Sequence, residues 1–171
     1  MLDFLGINVE HYIDWGVILR HLLLIGFALI LTLPVAVNRE ANSSGGGVRT
    51  FPLVAVATCS YTLLSLDVLG DNGEAIGKFM AGIVTGIGFI GGGAILKMKD
   101  DSKVSGLANA ASIWNTGAIG MSVAWQRFEI AIIIAVINFL ILRIGHDAKK
   151  MVKENNQQKN ENKYEKETKS D

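Results

Sequence analysis

Apolar and polar positions fall in long blocks along this chain rather than in short amphipathic periods. Apolar runs over 16–37, 51–69, 78–96, 106–124 and 130–143 alternate with short polar stretches. At about 1.5 Å of rise per residue, such runs come close to the ~30 Å hydrocarbon core of a bilayer. In lipid a single segment satisfies its backbone donors and acceptors only as a helix. The pattern therefore predicts an all-α integral membrane protein, a bundle of about five transmembrane helices over residues 16–145. The first run starts beside Trp15, with Arg20 and His21 where side chains can reach back to the interface. It carries Pro34 near its end and gives way to Asn38–Thr50, whose serines and triple glycine read as a flexible loop. Thr58, Ser60, Thr62 and Ser65 interrupt the second run, and Asp67 lies at its far end. Asp67 is either an interfacial carboxylate or the partner of Arg20 on the same side of the membrane.

The third run contains Gly86-Ile-Gly88-Phe-Ile-Gly91, formally the spacing of a dinucleotide loop. That motif needs a strand before it, a helix N-terminus at it and an acid about twenty residues on. Here the glycines lie inside an apolar span, so they read as packing surface. Gly82 and Gly86 form a G-x-x-x-G pair, with Gly93 close to the same line, letting another helix approach almost to backbone contact, and Gly88 is counted with them in the packing seam. Each glycine costs a helix interior on the order of 1 kcal/mol against alanine. Gly91, Gly92 and Gly93 in a row therefore predict a kink or break, expected to face the fourth helix. Leucine at Gly92 is expected to disturb assembly.

The fourth run is the least hydrophobic. Ser105, Asn109, Ser112 and Thr116 recur at spacings of four, three and four, which places them on one helix stripe, with Asn115 beside it. Lipid cannot hydrogen-bond that stripe, so it faces other helices, a cavity or a ligand. Two readings stay open: structural hydrogen bonding between helices, and a binding or conduction role. Trp114, near the middle of the segment, is expected to fill the bundle core. The fifth run is the most lipid-like, and the polar residues 146–171 predict a disordered tail.

Charge adds direction rather than chemistry. Sixteen Lys and Arg balance sixteen Asp and Glu, so no bulk charge points to nucleic acid. If five spans alternate, Arg39, Arg49, Lys97, Lys99, Lys103, Arg143 and the first tail lysines share one face, whereas Arg20, Lys78 and Arg127 lie on the other. The positive-inside rule then puts the loops and tail in the cytoplasm and residues 1–15 outside. Those first residues hold acids but no Lys or Arg and do not read as a cleaved signal. The single Cys59 excludes an internal disulfide. No nucleophile–base motif or paired intramembrane carboxylate is present, and His11, His21 and His146 lie on different segments. Neither enzymatic activity, a metal site nor a cofactor is expected.

Several ordered segments resemble one family. Arg39-Glu40, then Gly47-Val-Arg49-Thr50, then Gly86–Lys97, then Val104–Trp114 and Ala118–Met121 are together similar to the MgtC/SapB family of bacterial inner-membrane proteins, over roughly residues 15–145. The resemblance implies a five-span domain with its N-terminus outside and marks Arg39, Glu40, Arg49 and Thr50 as a cytoplasmic loop signature. It also implies a part in survival under magnesium limitation or in virulence, for some members through restraint of the membrane ATP synthase. The runner-up role is an ion or small-solute transporter or channel. MgtC proper continues into a domain resembling ligand-binding ACT domains, whereas polar residues follow here, as in shorter SapB-type members. Ala108 and Asn115 stand where MgtC proper has an amide and a cysteine. Besides the lipid bilayer, the implied partners are another membrane protein or further copies of the chain.

Overall fold

The computed structural model describes residues 14–42, 47–97 and 104–168. It is an all-helical bundle: α1 Trp15–Asn42, α2 Thr50–Leu69, α3 Gly73–Gly93, α4 Leu107–Ala124 and α5 Phe128–Thr168. Four helices are long and apolar enough to cross a membrane, over Trp15–Glu40, Thr50–Leu69, Gly73–Gly93 and Phe128–Gly145. The remaining helix, α4, sits at the centre of the bundle and packs on each of the other four. Its weak hydropathy follows from that position, since a helix shielded by protein needs fewer apolar side chains than one facing lipid.

Two apolar clusters stack along the bundle. One joins Leu24 and Ala28 of α1, Ala55, Cys59 and Leu63 of α2, Ile119 and Val123 of α4, and Ala131 and Ala135 of α5. The other draws on all five helices, gathering Val35, Ala36, Phe51, Val54, Ile87, Ile113 and Leu142. Much of the first core is small residues, as expected where helices associate by close packing rather than by leaving water. The large exposed side chains, among them Leu22, Ile30, Ile133 and Ile141, form the outer wall.

Several boundaries differ from expectation. Helix α1 does not stop at residue 37 but passes through Pro34 and runs on to Asn42. A proline inside a helix removes one backbone bond, and packing of Val35 and Ala36, both almost fully buried, holds the turn beyond it. Of the expected loop, residues 43–46 lie outside the described residues. Helix α3 begins at Gly73, five residues early, because the Asn72 side chain caps it by accepting from the Ala75 amide at 3.1 Å. It ends at Gly93, so the glycine triplet is a terminus rather than a kink.

Beyond it, Leu96–Lys97 pairs antiparallel with Val104–Ser105. The loop between them, 98–103, lies outside the described residues. The hairpin closes on Gly106 at φ +94°, where a Cβ would run into the Ala94 carbonyl and approach Ile95 Cα to 3.3 Å, so only glycine serves there. At the other end, α5 continues to Thr168 instead of giving way to the expected disordered tail. Glu, Lys and Gln have good helix propensity, and a helix already nucleated in the membrane adds residues without a new nucleus.

Candidate functional site

The polar stripe of α4 meets polar residues of α1 and α5 at two successive places in the bundle interior. Arg39, in the last turns of α1, donates from Nη2 to Asn109 Oδ1 on the first turn of α4. One turn further along α4, Ser112 Oγ donates to Asn138 Oδ1 of α5 at 3.1 Å. Thr116 Oγ1 then donates to the Ser112 carbonyl at 2.8 Å. Asn109, Ser112, Thr116 and Asn138 are all buried. The stripe read from sequence thus faces neighbouring helices, with Asn115 half-buried at its margin.

Asn138 was missed by sequence reasoning, although a signal existed. It is the one polar residue between Ile130 and Leu142, the most lipid-like run of the chain. An amide in such surroundings turns inward, because a polar group facing hydrocarbon goes unsatisfied. Its Nδ2 still has no hydrogen-bond partner among the described residues.

The loop signature divides by role. Arg39 turns into the bundle, whereas every other described Asp, Glu, Lys or Arg side chain is exposed. Glu40 points outward and accepts the Val48 amide on Oε2 at 3.3 Å, tying α1 to the start of α2. Gly47 lies beneath this contact, where a Cβ would stand 2.6 Å from the Glu40 amide nitrogen. Arg49 is exposed at the N-cap of α2, and Thr50, its first residue, is half-buried.

At the opposite end, Asp67 lies beside His21, with Nε2–Oδ2 at 3.8 Å. The expected Arg20–Asp67 pair is corrected accordingly. Arg20 is exposed one position away on α1, and a step of one residue turns a side chain about a quarter of the way round a helix.

The expected glycine seam also needs revision. Gly82, Gly86, Gly88, Gly92 and Gly93 face open space, with nothing within 4 Å of an added Cβ. Of the six, Gly91 alone packs closely, its Cβ position 3.2 Å from the Ala110 carbonyl oxygen of α4. The tight contacts are made by glycines of α4 itself. Gly117 receives the Ile87 side chain, and Gly120 lies against Ala55, Thr58 and Cys59 of α2. The break at the end of α3 does abut α4, as expected. At Gly92, where leucine was expected to disturb assembly, the first added carbon has free space. Trp114 is 51% exposed and points away from the core it was expected to fill, because the α4 face it occupies lies opposite the buried stripe.

Chemically, the interior offers amides, hydroxyls and one guanidinium. Among the described residues no group of three or more His, Cys, Asp or Glu could hold a metal ion. The hydroxyls of α2 are occupied locally: Thr58 donates to the Val54 carbonyl at 2.8 Å, Thr62 to that of Thr58 at 2.7 Å, and Ser65 to that of Thr62 at 2.8 Å. The distinctive feature is therefore the polar stripe of α4, which bonds to Arg39 of α1 and Asn138 of α5 and so ties three helices together.

Known proteins share this framework. The chain is 30% identical over 140 residues to Protein SrpB of Synechococcus elongatus, covering 75% of each. It is 26% identical over 150 residues to Protein SapB of Bacillus subtilis, covering 80% of this chain and 62% of SapB. To Protein MgtC of Salmonella typhimurium it is 32% identical over 110 residues, covering 64% of this chain and 46% of MgtC. It thus spans three quarters of SrpB but under half of MgtC. No solved structure matches the chain. The model of the MgtC family matches residues 25–151, a stretch that holds Arg39, the polar stripe of α4 and Asn138, and the protein belongs to the MgtC family.

Proposed function

We propose that this is a non-enzymatic inner-membrane protein that supports adaptation to magnesium limitation or other ion stress by modulating another membrane complex, the ATP synthase being the first to test. One observation carries the reading: among the described residues the only charge drawn into the interior is cationic, Arg39, which donates to the Asn109 amide of α4. A route for Mg²⁺ calls for oxygen ligands, usually carboxylates with retained water. Every described carboxylate side chain is exposed, and the guanidinium would repel a divalent cation at close range. The closely packed glycines of α4 favour a rigid scaffold over a gated path. The same charge argument shapes the orientation we propose, with residues 1–15 outside and the basic loops and α5 extension in the cytoplasm.

A transporter or channel is the second reading, favoured by the buried Ser112–Asn138 pair and by Asn138 Nδ2, which has no hydrogen-bond partner among the described residues. Amide and guanidinium donors suit an anionic or uncharged solute better than Mg²⁺.

Two measurements separate the readings. Under the first, inverted membrane vesicles containing the protein show reduced ATP-driven acidification relative to vesicles lacking it, and proteoliposomes carry no Mg²⁺ flux. Mg²⁺ flux that disappears on Asn109→Leu, in a variant that remains folded, would overturn the modulator reading.

A further inference from the structure

Helices α2 and α3 are consecutive, yet they pack on each other less closely than either packs on α4. Between them lies an open groove of about 830 Å³. Its floor includes Gly82 and Gly86, where an added Cβ would meet nothing within 4 Å. Its walls are apolar side chains such as Leu53, Phe79 and Ile90, and Leu53 is 66% exposed. The groove lies on stretches long and apolar enough to cross a membrane. A cavity at that depth does not stay empty, because hydrocarbon is always at hand to fill it.

Two features of the groove select its occupant. The first is length. The lining on α3 runs from Lys78 to Ile90, which at 1.5 Å per residue is about 18 Å, little more than half of a ~30 Å hydrocarbon core. That matches a chain confined to one leaflet better than a helix crossing both. The second is the placement of charge. The α2–α3 turn joins Leu69 to Gly73, so Tyr61 and Lys78 mark the mouth nearest that turn and Thr50 and Ile90 the far end. Among the described residues Lys78 is the only charged side chain lining the groove. Its ammonium pairs with Glu74 Oε1 at 2.7 Å, but both side chains are roughly three-quarters or more exposed, at 76% and 80%. A pair so exposed contributes little, which leaves Lys78 available to a phosphate.

We propose that this groove binds an anionic phospholipid, one acyl chain lying along Gly82 and Gly86 and the headgroup phosphate against Lys78. The glycines then have a reason to remain open: a leucine at either position would occupy the volume that the chain fills.

Native mass spectrometry of the full chain released from nanodiscs of equal parts phosphatidylethanolamine and phosphatidylglycerol tests this. The wild type should retain one phosphatidylglycerol per chain. Gly82→Leu/Gly86→Leu should lose it, and Ala57→Phe, which fills the groove from the α2 side, should lose it independently. Lys78→Gln should keep a lipid but lose the preference for phosphatidylglycerol, with an unchanged size-exclusion profile. Equal retention by the wild type and both groove-filled variants would overturn the proposal. So would efficient disulfide formation between copies carrying Gly86→Cys, which would place a second copy in the groove.

Discussion

Gly120 of α4 stands directly on the backbone of α2: a Cβ at Gly120 would lie 2.5 Å from the carbonyl oxygen of Ala55. Alanine in place of a helical glycine normally stabilises by up to about 1 kcal/mol. Here the methyl would have to push backbone aside, and overpacking of that kind costs typically about 1–3 kcal/mol. Gly120→Ala should therefore lower the thermal midpoint in detergent and reduce accumulation in the membrane. Gly82→Ala and Gly92→Ala, with nothing in their way, should leave the midpoint unchanged or raise it. Equal effects at all three positions would contradict the packing described.

The Arg39–Asn109 contact joins α1 to α4 at the basic end of the bundle. Asn109→Leu removes an acceptor from a half-buried guanidinium and should destabilise by about 1–3 kcal/mol. Arg39→Leu/Asn109→Leu should recover part of that loss, because two apolar groups are cheaper to bury than one charge short of a partner. A double-mutant cycle by thermal unfolding reads the coupling directly.

Ser112 and Asn138 should respond unequally to truncation. Asn138→Leu deletes a buried Nδ2 that has no partner among the described residues, and the Ser112 hydroxyl can turn to a carbonyl of its own helix. Ser112→Ala instead leaves the whole Asn138 amide without this bond, at a cost of about 1–3 kcal/mol. The midpoint should fall clearly in Ser112→Ala and little in Asn138→Leu. If Asn138→Leu keeps its stability but abolishes the physiological effect, the amide acts in function rather than in packing.

Asn72 sets where α3 begins. Asn72→Ala removes the acceptor for the Ala75 amide and should cost about 1 kcal/mol. It should also raise hydrogen exchange in the first turn, around Gly73–Ile76, without affecting the Gly91 end of the same helix.

The existence and order of the helices and the polar stripe on α4 were determined by the sequence alone, whereas the ends of α1, α3 and above all α5 were not. Hydropathy over twenty residues and a spacing of three and four are local properties, and the membrane leaves few other ways to satisfy the backbone. What each helix face meets was decided only by tertiary structure. Gly82 and Gly86 carry the expected spacing for close packing, yet they line a groove, while Gly117 and Gly120, less conspicuous in sequence, take the closest contacts. Trp114 looked central because its segment is central, but its own face turns outward. Arg39 and Asn138, far apart in the chain, both bond to the polar stripe of α4 because α1 and α5 each pack on that helix. Contacts of that kind depend on how helices rotate about their axes, a quantity set by the fit of all five together and carried by no single stretch of residues.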